Sequence, residues 1–469
     1  MDTFKNKSKA YTTIVVIIFV VAIALRLALS LINPGGKDDH MQVCRIIVNT
    51  GCLPVQEDCA ECFNAKLFHV LVAIGIKFCH LTDEKTQTRL AQLISCFAGV
   101  LTIVLCYYFL DSRPLRGRVK LWVFSMVALN PGLIAINAKA TNDSLAILFG
   151  TCTIYFAYQF FCKGSFWRFW GITIFSILAG LTKGTTIVLF PTIIIMLVLK
   201  VLTSHGTILD KIKHRYNRYA MILCILFLAI VPLGGQYVRL RSHHVVSVFP
   251  KKQEKYPLPN FFKKTYYGRP GITSVANSYL TFRFVDMLKH PTITNGRDVY
   301  PLHRTSFWSQ LYGRVNFIYF ASFPANWETK DFVLLNLGRA ILFLALIPTG
   351  LFLWGFLKEM GRWGIAAVRF NFGFISISNE WVFLFFAATQ ITFLLYGTAI
   401  YRDFCFIKDI FLFPSLLAAT YIFTVGLSSF YKALDKTFWR VVLELVFVIL
   451  VVLYSLSVLS LIMKLLKHN

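Results

Sequence analysis

Charge is scarce in this sequence. Only 15% of its 469 residues are Asp, Glu, Lys or Arg, whereas a soluble domain carries about 25%. Acidic residues are scarcer still, 22 against 48 Lys plus Arg. The shortage excludes an ordinary globular core with a charged surface. Alternation of apolar and polar residues is also missing, which excludes a transmembrane barrel. There is no GxxxxGK[ST] segment, the loop whose backbone cradles nucleotide phosphates. No inverted internal repeat of the kind many transporters carry is visible. No small-residue cleavage site follows the first apolar run, so that run reads as a retained span and not as a signal peptide. Cys59 and Cys62 form a CxxC without a second pair or a following His pair. That is a weak zinc signal, and in an oxidising compartment the same pair reads as a disulfide.

What is present is apolar: 57% of the chain, in continuous blocks. The blocks run to about 18–25 residues, the length that crosses a ~30 Å hydrocarbon layer as a helix. In that layer the backbone must satisfy its own hydrogen bonds, so the spans are helices. The expected fold is an all-α polytopic membrane protein with about eleven transmembrane helices. The formal net charge of +26 follows from basic cytoplasmic loops and does not call for nucleic acid as a partner. The scattered cysteines within apolar runs, such as Cys106, Cys152 and Cys224, read as small buried apolar residues.

Basic loops set the topology. Residues 11–32 form a first span with its basic N-terminus in the cytoplasm. A polar segment, 33–87, lies outside. Within it, "AKLFHVLVAIGIKF" is short and has Lys66 and Lys77 near its ends, so it reads as an interfacial helix. Span 90–110 returns to "DSRPLRGRVK", a cytoplasmic loop. Spans 121–137, 145–161, 169–181, 185–201 and 220–238 then alternate. A large external loop, 239–331, separates spans seven and eight. It is rich in aromatics and proline, as a folded cap would be. Spans 332–356, 381–400, 410–430 and 441–461 complete the chain. Three regions result: an N-terminal membrane module (1–238) carrying the external segment 33–87, the cap (239–331), and the C-terminal helices (332–469).

Candidate chemistry gathers on the external side. Asp38, Asp39 and His40 follow the first span directly. Such carboxylates are either solvated or a general base that takes a proton from an acceptor nucleophile, and each raises the other's proton affinity. Asn142 and Asp143 lie between the third and fourth spans, where either could cap the helix starting at Ser144 or face a pocket. Lys139 and Lys183 sit near outer span ends. They either snorkel to the interface or hold a lipid phosphate. Arg402 and Lys408, in "YRDFCFIKDIFLFP", pose the same choice. Cations there would stabilise a departing phosphate.

Taken in order, these segments resemble the GT-C superfamily of polyprenyl-phosphate-sugar-dependent glycosyltransferases, the group of the protein O-mannosyltransferases, the aminoarabinose transferases and glycosyltransferase family 39. "DDH" is similar to the family's Asp-Glu motif, with Asp39 in place of Glu. "FNAKLFHVLVA" is similar to a segment usually rich in "PPL", here without the prolines. "RLAQLISCFAGVLTIVLCYYF" resembles the second span with its opening Arg, here Arg89. "NPGLIAINAKATNDSLAILF" resembles the third and fourth spans, and "LAGLTKGTTIVLFP" a recurrent "GLA-x-x-x-KG" segment.

The resemblance covers residues 10–200. It implies sugar transfer, hexosyl or pentosyl, from a polyprenyl-phosphate donor with inversion at the anomeric carbon. Asp38, Asp39 and Asp143 would be the catalytic carboxylates. His40, Lys66, His69, Arg89, Lys183, Arg402 and Lys408 would bind substrate. No metal and no cofactor beyond the donor lipid is expected. The partners would be the lipid-linked donor, membrane lipids and an acceptor that the sequence does not name. The membrane would be a bacterial inner membrane or that of the endoplasmic reticulum. A lipid-linked oligosaccharide flippase and an O-antigen polymerase or ligase are the competing readings. A flippase would place ionisable residues deep in its spans.

Overall fold

The computed structural model describes residues 9–34, 40–55, 58, 59, 61–203, 222, 278–292, 302–320, 331–368, 379–401, 407–434 and 437–468. Asp38, Asp39 and Arg402 lie outside the described residues, as do the expected span 220–238, apart from residue 222, and most of the loop 239–331. The described chain is helical, and the protein is a multi-pass integral membrane protein. Among the described residues, seven helical stretches are long and apolar enough to span, or eight if one bent pair counts as a span. The expected count of eleven is therefore not reached within them.

Helix α1 (Lys9–Ile32) is the first span. It is followed by α2 (His40–Thr50) and α3 (Leu67–Phe78), which pack together. At 1.5 Å per residue the 12-residue α3 reaches about 18 Å, too short to cross. It buries Phe68, His69, Val72, Ala73 and Ile76 and exposes Leu71, Ile74 and Phe78. That division into two faces suits a helix lying in the interface.

Helix α4 (Glu84–Asp111) starts six residues before the expected boundary at Leu90. Its start is set by Asp83, whose carboxylate accepts from the Thr86 backbone N at 2.8 Å and from Thr86 Oγ1 at 2.9 Å. Such a cap satisfies donors that the helix itself cannot.

The expected span 121–137 is not one helix. It is α5 (Gly117–Ala128) and α6 (Pro131–Asn137), bent by 46°. Pro131 has no N–H and cannot continue the α5 ladder. Asn130 restarts the helix, its side-chain oxygen accepting from Leu133 N at 2.8 Å. Helix α7 (Asp143–Lys163) ends at Gly164 with φ 54°, a left-handed residue suited to glycine. Helix α8 (Phe166–Thr182) runs into a 3-10 turn (Gly184–Val188) before α9 (Leu189–Thr203).

Parts of the expected external loop, 239–331, are described. Helices α10 (Phe284–Lys289) and α11 (Phe307–Asn316) bury Met287, Phe307, Phe317, Tyr319 and Phe320 in and around them. Asn130 Nδ2 donates to the Val315 carbonyl at 3.0 Å, which ties this segment to the break between α5 and α6. The C-terminal helices are α12 (Phe332–Leu344), α13 (Leu346–Val368), α14 (Trp381–Tyr401), α15 (Leu416–Ala433) and α16 (Thr437–His468).

Helices α13 and α15 meet backbone to backbone. A Cβ at Gly355 would land on the Ile422 carbonyl, and one at Gly426 on the Leu351 carbonyl. Small residues allow this approach, since packing drives helix association in lipid. Gly426→Ala should therefore destabilise the chain by about 1–3 kcal/mol, the usual cost of overpacking. Gly361→Ala, where a Cβ meets nothing within 4 Å, should leave it unchanged or slightly firmer. Thermal unfolding of the detergent-solubilised protein compares the two, and equal midpoints would contradict the packing.

Candidate active site

The end of α1 is fixed by side chains that hydropathy does not reveal. Arg26, fully buried, donates Nη1 to the Ala128 carbonyl at 2.7 Å and to the Ala22 carbonyl at 3.0 Å, and Nε to Asn137 Oδ1 at 2.9 Å. Ala128 is the last residue of α5, so its carbonyl has lost its helical partner at the break. Asn33 Nδ2 donates to the Ala138 carbonyl at 2.9 Å. The Asn33 carbonyl accepts from Arg89 Nη1 at 2.7 Å and from Gln92 Nε2 at 2.9 Å. Arg89 Nη1 also donates to the Ser30 carbonyl at 2.9 Å. These bonds give Arg89 a structural task at the end of α1, just before the segment with Asp38 and Asp39.

Asp143, the first residue of α7, is buried and ion-paired to the Lys183 ammonium. Thr141 Oγ1 donates to its second oxygen at 3.0 Å. Asn142 does not cap α7 with its side chain. Its Nδ2 donates instead to the Thr182 carbonyl at 2.9 Å, the end of α8. Lys183 does not snorkel: it is 8% exposed. Its ammonium lies 4.9 Å from the Phe411 ring centroid, a cation–π contact. Phe411 belongs to a 3-10 turn (Asp409–Phe411) between α14 and α15. Residues far apart in sequence thus converge at one end of the bundle.

Two histidines complete this end. His40 Nδ1 and His69 Nε2 are 3.0 Å apart. Burial pushes His69 down to about 3, and His40 and Lys66 push the same way. Lys66 donates its ammonium to the Cys62 carbonyl. Burial lowers it to about 8, against Asp58 and Glu61, which favour its charged form. Cys59 and Cys62 are joined as a disulfide, so the CxxC here closes a small ring at the start of the α3 segment. Asp409, 7% exposed, is pushed up by burial and pulled back by Arg314 and Lys139. It sits against Gly132, where a Cβ would lie 2.8 Å from Oδ2 and 2.9 Å from the Arg314 carbonyl. Lys408, next to it, is half-buried.

Of the residues expected at the site, the structure joins Asp143 with Lys183, and His40 with His69. Lys66 and Lys408 lie on the same flanking segments. Sequence reasoning missed Arg26, Asn137, Asp409 and Arg314. Arg26 carried a signal, a lone ionisable residue inside an apolar span. Asp409 and Arg314 carried none beyond being polar in segments expected to be external.

Residues 81–242 match the family model described as dolichyl-phosphate-mannose-protein mannosyltransferase. This is the resemblance expected from the sequence, and the matched stretch contains Arg89, Asp143 and Lys183. No curated protein matches the chain. Among solved structures, the chain is similar to the S. cerevisiae protein O-mannosyltransferase Pmt1-Pmt2 complex bound to the sugar donor. The identity is 14%, the TM-score 0.40, and the match covers 57% of this chain and 38% of that one. It is also similar to the archaeal oligosaccharyltransferase AglB from Archaeoglobus fulgidus in complex with an inhibitory peptide and a dolichol-phosphate. Here the identity is 13%, the TM-score 0.48, and the coverage 97% of this chain and 56% of that one. The chain thus spans about half or less of the length of these proteins.

Two outcomes follow from the ion pair and from Lys66. Lys183→Met leaves a buried carboxylate alone and should cost about 3–5 kcal/mol. Adding Asp143→Asn should recover most of that loss, and unfolding in detergent measures both. Lys66 releases its proton at about 8 when folded and at about 10.4 when unfolded. Between those values the unfolded chain binds more protons, so stability from this group rises with pH. Lys66→Met should flatten that rise between pH 8 and 10.4, and an unchanged slope would contradict the burial of Lys66.

Proposed function

We propose that this chain is a membrane glycosyltransferase that moves a sugar, mannose first among the candidates, from a dolichyl- or other polyprenyl-phosphate donor to an acceptor nucleophile. The observation that carries this reading is the match of residues 81–242 to the mannosyltransferase family model. The Asp143–Lys183 ion pair, with the His40–His69 pair close enough to act on Asp143, supports it.

In this reading the acceptor loses its proton to Asp38 or Asp39 as it attacks the anomeric carbon. The bond to the phosphate oxygen breaks, and the polyprenyl phosphate leaves with the electron pair. Base and nucleophile held together make the attack effectively unimolecular. Lys66, Lys408 and Arg402 are the cations assigned to the leaving phosphate, whose developing charge they would stabilise. Asp143 is occupied by Lys183 and Thr141. Its assigned role is to fix the floor of the site, where α7 and α8 meet the Phe411 turn. The acceptor class stays open between protein, lipid and glycan.

The donor class is tested with purified protein in lipid nanodiscs. Dolichyl-phosphate-mannose and GDP-mannose are offered in parallel with a membrane extract as acceptor. Labelled mannose should pass to the extract, with release of dolichyl phosphate, from the lipid donor alone. Transfer from GDP-mannose without added lipid phosphate would contradict the proposal, as would no turnover with any polyprenyl-phosphate sugar.

A further inference from the structure

Gln390 is a carboxamide near the middle of α14, a span of mostly apolar residues, and it is 1% exposed. A buried amide is costly unless it is hydrogen-bonded. Its Nε2 donates to the Phe411 carbonyl at 2.5 Å. The amino-acid sequence explains why that carbonyl needs a donor from another element. Around the turn Asp409–Phe411 the backbone follows the 3-10 pattern. Phe411 N donates to the Lys408 carbonyl at 3.2 Å, and Leu412 N to the Asp409 carbonyl at 2.8 Å. Three residues beyond Phe411 stands Pro414, which has no N–H. Four residues beyond, Ser415 N donates to the Leu412 carbonyl at 2.9 Å. Gln390 supplies the missing donor. With the amide turned over, two oxygens would face each other, so the nitrogen is the atom at the carbonyl.

A second bond runs beside the first: Ser415 Oγ donates to the Phe386 carbonyl at 3.2 Å. Residues 386 and 390, one helical turn apart, thus hold residues 415 and 411. The packing of α14 does not depend on Gln390. Thr192 Oγ1 donates to Thr389 Oγ1 at 3.1 Å, and Trp381, Phe383 and Phe386 are buried in the apolar core. Losing the Gln390 amide therefore releases the turn and leaves the span in place. That turn carries the Phe411 ring, 4.9 Å from the Lys183 ammonium, and begins at Lys408. We propose that Gln390 is a positioning residue: its bond to the Phe411 carbonyl sets the turn that presents Lys408 to the leaving phosphate and seats Phe411 against Lys183. This deepens the glycosyltransferase reading and rests on its assignment of Lys408.

The phosphate gains negative charge as its bond to the sugar breaks. A cation beside it therefore acts more strongly in the transition state than in the ground state. A misplaced Lys408 lowers kcat more than it raises KM. The charged groups around the turn are Lys408 and Asp409 within it, Arg314 and Lys139 acting on Asp409, and Lys183 with Asp143 at the Phe411 ring. All of them remain when Gln390 alone is changed, so each variant is read against the wild type at the same pH.

The test uses the full chain in nanodiscs with Gln390→Leu and Gln390→Glu, at equal amounts of folded protein. Transfer from dolichyl-phosphate-mannose is measured between pH 5 and 8. Hydrogen exchange of the peptide holding Phe411 and Leu412 is followed alongside by mass spectrometry. Gln390→Leu should lower kcat roughly 10–100-fold, the scale of a small misplacement of reacting groups, with KM for the donor within about threefold. Exchange at Phe411 and Leu412 should speed up. A protonated glutamic acid can donate to the Phe411 carbonyl, and a carboxylate cannot. Apolar surroundings keep such an acid neutral above its usual range. Gln390→Glu should therefore approach the wild-type kcat near pH 5 and fall away from it toward pH 8.

Wild-type kcat in folded Gln390→Leu would overturn the proposal, as would a Gln390→Glu profile that runs parallel to the wild type. If Gln390→Leu does not fold, the Gln390→Glu profile decides alone. The exchange measurement needs no turnover. Faster exchange in Gln390→Leu, in a chain that transfers from no polyprenyl-phosphate sugar, would uphold the tie to the turn and sink the glycosyltransferase reading, with the role of Lys408.

Discussion

A helix broken inside a membrane leaves backbone groups that lipid cannot satisfy. Here the break lies between α5 and α6, and Arg26 answers it. Its guanidinium reaches from α1 to the Ala128 carbonyl and to Asn137, which lies at the far end of α6. One side chain thus ties the first span to both halves of the broken one. An unpaired charge in that place would be expensive, and three hydrogen bonds offset the expense. The arrangement also explains the crowding at Gly99, where a Cβ would collide with the Asn137 amide.

The consequences run outward along α1. With Arg26 locked, the span's last turn meets the end of α6 through Asn33 and Ala138 and meets α4 through Arg89 and Gln92. The chain therefore leaves the bundle at a fixed point, and the acidic pair follows within a few residues. On the other side of that point, α7 and α8 are joined by Asp143 and Lys183, and by Asn142 and the Thr182 carbonyl. The Phe411 turn lies against Lys183. Asp409, two residues earlier, stands against Gly132 in α6. The N-terminal spans, the described part of residues 239–331 and the C-terminal helices all contribute to one end of the molecule.

Much of this was legible in the amino-acid sequence, for definite reasons. Apolar runs of spanning length gave the helices, because backbone hydrogen bonding in lipid leaves few alternatives. Basic loops assigned Asp143, Lys183 and Lys408 to one side, and the structure brings Asp143 and Lys183 into contact. Other features depend on three-dimensional partners that no spacing encodes. Nothing in "DDHMQ" and "KLFHV" says that His40 and His69 meet. Asn142 looked like a helix cap and turned out to bind another helix, because Thr182 offers a carbonyl that α8 has finished using. The bend at "LNPG" had a readable signal, an Asn before a Pro, but hydropathy averages across it. Arg26 had one too, hidden by the apolar residues on either side.

In the proposed glycosyltransferase, Asp38 or Asp39, a few residues beyond the pinned end of α1, is the carboxylate base, and the Asp143–Lys183 pair floors the site. The most direct measurement compares mannosyl transfer by the wild type with that of Asp38→Asn and Asp39→Asn at equal amounts of folded protein. Asparagine keeps the shape and removes the base. One of the two variants should lose transfer by about 100-fold or more, the scale of general-base catalysis, while the other retains most of it. Wild-type rates in both variants would contradict the assignment of the base.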